Sequence, residues 1–188
     1  AAPRGGDGIP ILGIGNVLWA DEGFGVRCVE RLHEEWELGD GDEVRVMDGG
    51  TQGLYLVPYV TESRRVLVFD AVDFAAPPAS LHVVRGDEVP AVMGAHAMSL
   101  HQMGFQDVLA AAELLGKAPE AITLVGVQPV QLEDFGSGLT PPVAARIEDA
   151  IAVAIAELRT WGLQPMPRTT RAEPLHASSI ARAVYEGA

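Results

Sequence analysis

Four side chains in this sequence are of the right type and placement to do chemistry together: Glu22, Asp48, Asp70 and His101. Asp48 directly follows the run EVRVM, Asp70 directly follows RVLVF, and Glu22 lies on the loop after IPILGIG. If those runs are strands of an open parallel sheet, all three carboxylates fall at the carboxyl ends of strands, where such folds bind their ligands. His101 lies two residues beyond Ser99, which reads as the cap of a helix SLHQMGFQDVLAAAELLG, with Gln102 completing a capping box and Gly116 ending it. Its ring can project from the N-terminal end of that helix. Carboxylates crowded at one point repel and raise one another's pKa, and a divalent cation relieves this. One imidazole with two carboxylates suits a first-row ion such as Ni, Zn, Fe or Co, and three protein ligands leave coordination positions open.

Each of these residues also has a plainer reading. Glu22 can complement a helix macrodipole. Asp48, before Gly49 and Gly50, can bond its own backbone in a turn. Asp70 can cap the next segment or pair with an arginine, and His101 can be an ordinary first-turn histidine. Only their convergence separates the two readings. The stretch GIGNVLWADEGFG, residues 13 to 25, also invites comparison with a dinucleotide-binding turn. Gly13 and Gly15 fit G-x-G-x-x-G, but Leu18 stands where the third glycine belongs and Trp19 would crowd a pyrophosphate. Two acids then follow where an anion would lie. A dinucleotide enzyme is therefore the weaker alternative, one that predicts NAD or FAD retained on purification.

The elements that must position these groups are legible as alternating patterns. Residues 9–15, 43–47, 65–69, 81–84 and 121–127 are short apolar or β-branched runs that read as strands, mostly buried on both faces. Phe24, Cys28, Leu32 and Trp36 recur every four residues, giving an amphipathic helix expected to stop at Gly39. Residues 53–60 read as a short helix or turn disturbed by Pro58. In residues 140–162, Thr140 caps a helix with Val143, Ile147, Ile151, Ile155 and Leu158 on one stripe. This alternation implies a three-layer α/β/α domain around a twisted, mostly parallel five-stranded sheet. Residues 1–8 read as an N-terminal extension, 9–161 as the domain, and 162–188 as a largely irregular tail, its proline-rich start a mobile linker and SSIARAVY one short helix.

Composition narrows the partners. With 48% apolar and 21% charged residues the chain is that of a globular protein. No stretch approaches the roughly 20 apolar residues a membrane span needs, and the first residues lack a basic-then-apolar signal, so a cytoplasmic protein is expected. Cys28 is the single cysteine, which excludes an intramolecular disulfide and a cysteine zinc site, and its place on the apolar stripe makes it an inert core thiol. The net charge of −13 repels phosphate backbones and argues against nucleic acid. A cationic ligand or basic peptide fits better. His33, on an exposed face among Glu34, Glu35 and Glu37, reads as solvated; His82, His96 and His176 lack an acidic partner at metal-ligand spacing, and Ser99 has no nucleophile elbow around it.

These residues together resemble the nickel-iron hydrogenase maturation endopeptidases. The matching stretches are GIGNVLWADEGFGVR, MDGGTQG, VFDAVD, SLHQMGFQDVLA, and ITLVGVQP followed by GLTPPV, in that order between about Ile9 and Trp161. The resemblance implies a monomeric enzyme that removes the C-terminal extension of the hydrogenase large-subunit precursor after nickel insertion. It implies Glu22, Asp70 and His101 as metal-contacting residues, with Asp48 an acid near the cleft. The nickel would be supplied by the precursor, with another divalent ion able to substitute. The competing reading from a different class is a non-proteolytic nickel carrier or chaperone for hydrogenase assembly, using the same ligands.

Overall fold

The computed structural model describes residues 8–39, 43–50, 53–95 and 100–175, the side chains of 95 and 100–103 excepted. Its central sheet has five strands in the order β3-β1-β4-β6-β5: β1 (Ile9–Ile14), β3 (Val44–Gly50), β4 (Arg65–Ala71), β5 (Leu81–Arg85) and β6 (Ala121–Val127). β1, β3, β4 and β6 are parallel, and β5 runs antiparallel on the β6 edge. The expected mostly parallel sheet of five strands is thus observed. β1, β4 and β6 are apolar on both faces because both faces are covered. Ile9, Ile11, Leu67, Phe69 and Val125 pack against helices α1 (Phe24–Glu35) and α6 (Ile147–Thr160). Leu12, Ile14, Val66, Val68 and Leu124 pack on the opposite layer, formed by α2 (Val57–Thr61), α3 (Glu88–Ala95) and α4 (Leu100–Leu114). Three layers result.

Local differences from the sequence reading have physical causes. The apolar stripe of α1 was expected to run through Trp36 to Gly39, but the helix ends at Glu35. Trp36–Glu37 instead forms a short strand, β2, paired antiparallel with β7 (Met166–Pro167). The last helix is broken in two, with α5 (Pro141–Ala144) preceding α6 and Arg146 at the cap position between them. Among the described residues after Trp161, β7 is the one regular element, and residues 163–175 do not hang free as a linker. Leu163 is buried, Arg168 N donates to Glu35 O at 2.8 Å, and Ala172 N donates to Glu34 O at 3.0 Å. Arg171 Nη2 reaches Glu35 Oε1 at 2.7 Å. The strap thus caps the acidic end of α1, and SSIARAVY lies outside the described residues.

Candidate active site

The strand order sets where a site can form. β1 has β3 on one side and β4 on the other, so the chain reverses its direction of growth between β1 and β4. Such a switch point, at the carboxyl ends of the strands, is the usual ligand position in such folds. Asp70 is the penultimate residue of β4 and is fully buried, in register with Gly126 of β6. Asp48 lies within β3, opposite Gly13 of β1. The next residue of β1, Ile14, pairs with Gly50, so Gly49 is the extra residue of a bulge that follows Asp48. Both acids were read as following their strands; the ladders continue through them. One oxygen of each, Oδ1, is sealed from solvent.

Glu22 sits on a 3-10 turn (Ala20–Gly23) that joins β1 to α1. Three glycines bring this turn and the helix against the strand ends. A side chain on Gly25 would meet Ile14 O and Phe69 O, each at 2.3 Å, and one on Gly13 would meet Gly25 O at 2.4 Å. A side chain on Gly15, whose φ is 135°, would meet Glu22 O at 1.9 Å. The glycine pattern therefore serves backbone contact between α1 and the ends of β1 and β4, and through Gly15 it seats Glu22 on the turn. No phosphate cradle is involved. Half-buried, the Glu22 carboxyl is pushed up from 4.5 to about 7 by loss of hydration.

His101 belongs to the first turn of α4, and its side chain lies outside the described residues. One turn further along, the Cβ position of Gly104 comes within 3.6 Å of Gly53 Cα, on the turn Gly53–Leu56 that follows β3. The start of α4 is thereby placed at the same edge of the sheet as the three acids. Among the described residues no group of three or more His, Cys, Asp or Glu side chains is arranged to hold a metal ion, so the acids alone do not form such a centre. Of the remaining candidates, Cys28 is fully buried among apolar residues, and burial pushes its thiol well above the usual range. His82 stacks on Phe74 with centroids 4.4 Å apart and lies 2.8 Å from Ser80 Oγ. His96, Ser99 and His176 lie outside the described residues.

Asp21 is the residue that sequence reading missed. Its side chain is fully buried and accepts from Val130 N and Gln131 N at 2.9 Å, and from Thr140 N at 2.8 Å and Thr140 Oγ1 at 2.9 Å. Its own N–H donates to Gln131 O, and Gly136 N donates to Leu18 O. The loop from β6 to α5 is thus fastened to the turn that carries Glu22. Asp21→Ala would strand several buried donors at once, so we expect it to lower unfolding free energy by about 3–5 kcal/mol in urea titrations. Asp21→Asn, which keeps the shape and one acceptor, should cost less.

Comparison with known proteins decides the family. A family model described as hydrogenase maturation protease matches residues 26–157. The chain belongs to the hydrogenase maturation protease family. It is 56% identical over 176 residues to a hydrogenase expression/formation protein, HupD, of Rhodobacter capsulatus, covering 94% of this chain and 83% of that one. It is 40% identical over 161 residues to the hydrogenase 2 maturation protease of Escherichia coli, covering 85% and 96%. The structure of the hydrogenase maturating endopeptidase HybD from E. coli superposes with a TM-score of 0.80 at 39% identity, over 86% of this chain and 98% of that one. The three-layer fold is therefore the fold of this family. Among the described residues no helix is long and apolar enough to cross a membrane.

Proposed function

We propose that this protein is an endopeptidase that removes the C-terminal extension of a nickel-iron hydrogenase large-subunit precursor, and that it recognises nickel already carried by the precursor. Family membership supports the hydrolytic activity, and one structural observation supports the position of its site. Glu22 and Asp70 flank the switch point between β1 and β4, with Asp48 on the adjoining strand and the start of α4 at the same edge. In this reading Glu22, Asp70 and His101 meet the nickel of the substrate, and another divalent ion can stand in for it. The ion polarises the scissile carbonyl or lowers the pKa of a water, and Glu22 or Asp48 accepts the proton as water adds across the peptide bond. The protein acts as a monomer in the cytoplasm.

Incubation with purified nickel-loaded precursor, followed by intact-mass spectrometry, is expected to yield a large subunit shortened at its C-terminus, while precursor lacking nickel stays full length. A precursor that remains full length as nickel transfers to the protein would establish the carrier instead.

A further inference from the structure

Of the eight large apolar side chains exposed among the described residues, five gather at one edge, while Leu114, Leu115 and Met166 lie elsewhere. Trp19 follows β1, Leu54 and Tyr55 follow β3, and Val130 and Phe135 follow β6. All five therefore stand on loops that leave the carboxyl ends of parallel strands, the edge that carries Glu22, Asp48 and Asp70. Tyr55 is 82% exposed and Phe135 65%. Trp19 and Phe135 meet edge to face with centroids 5.1 Å apart, so two loops from different strands present one aromatic surface. That surface is held rigid from beneath, since Asp21 ties the Phe135 loop to the Trp19 turn. Exposed aromatics fixed in position are what protein recognition sites use, because little side-chain entropy remains to be lost on binding.

The charge around this rim is of one sign. Residues 16–22, 50–56 and 128–140 contain Asp21, Glu22, Glu133 and Asp134 and no Lys or Arg. A complementary partner is therefore apolar and cationic, and chain-like enough to reach loops that follow three different strands. Resting on the endopeptidase reading, we propose that this rim docks the precursor's own polypeptide around the scissile bond, gripping apolar side chains with Trp19, Phe135 and Tyr55 and basic ones with Glu133 and Asp134.

Steady-state processing of nickel-loaded precursor by full-length protein tests this. The paired change Trp19→Ala with Phe135→Ala, and separately Tyr55→Ala, should raise KM about tenfold for the pair and less for Tyr55, with kcat within about twofold. Leu114→Ser with Leu115→Ser, two exposed leucines at the opposite edge, should leave both constants unchanged. Melting temperatures identify any variant that fails to fold, and Tyr55→Ala, on a largely exposed side chain, supplies a second measurement. Wild-type cleavage with an unmoved KM in the rim variants, or an equal rise in the control pair, overturns the inference alone. Absence of cleavage by the wild-type protein overturns the endopeptidase reading and this inference with it.

Discussion

Glu22→Gln and Asp70→Asn are each expected to lower precursor processing by about 10²–10⁴-fold, the range associated with losing a group that handles charge or protons in the reaction. Both substitutions keep the side-chain shape, so the expected loss is chemical. Stability separates this outcome from simple misfolding, and for Glu22 it moves in the opposite direction. Burial raises Glu22 from 4.5 to about 7, so the folded protein holds this proton more tightly than the unfolded chain does. Between those two values the folded state binds more protons, and stability falls as pH rises through the window. Glu22→Gln removes that slope. Measured in chelator, its melting temperature should exceed the wild-type value at pH 8 and converge with it near pH 4.5. A variant that is more stable and yet inactive identifies a carboxylate kept for function against its own cost. Wild-type processing rates in either variant would remove that residue from the site.

What could be read from the residues alone depended on the range of the forces involved. The strands announced themselves because each central one is apolar on both faces, and Asp48 and Asp70 stood out as acids at the ends of such runs. α4 was legible from Gln102 and from Gly116, whose φ of 65° closes the helix. Asp21 carried no such mark. Its partners lie more than a hundred residues away on the β6 to α5 loop, and in sequence it is one more acid beside Glu22. Trp36 extended the period of α1 in the text, yet pairing with the distant Pro167 drew it into a strand. The acids of that region were visible, but not that Arg168 and Arg171 would return to meet them. α3 offered no helical period to read: EVPAVMGA is nearly all apolar.

Gly25→Ala should be among the most destabilising single substitutions in the chain, costing about 3–5 kcal/mol or preventing folding. Judged by propensity alone, an alanine inside α1 would be favourable by about 1 kcal/mol. Space reverses the sign. The added methyl carbon would lie 2.3 Å from the carbonyl oxygens of both Ile14 and Phe69 and 2.9 Å from Ile14 N. These are backbone atoms of two adjacent strands in the middle of the sheet, and they cannot rotate aside as a side-chain tip can. Relief requires α1 to lift from β1 and β4, which opens the core around Phe24 and Cys28 and drags the Glu22 turn with it. Gly116→Ala is the matching control. Its φ of 65° disfavours alanine, but no atom stands within 4 Å, so it should cost only about 1 kcal/mol. Urea midpoints for the two variants distinguish close approach from conformational freedom as the reason for glycine. Equal midpoints would mean that the contact of α1 with the two strand ends is looser than these distances require, and with it the seat of Glu22.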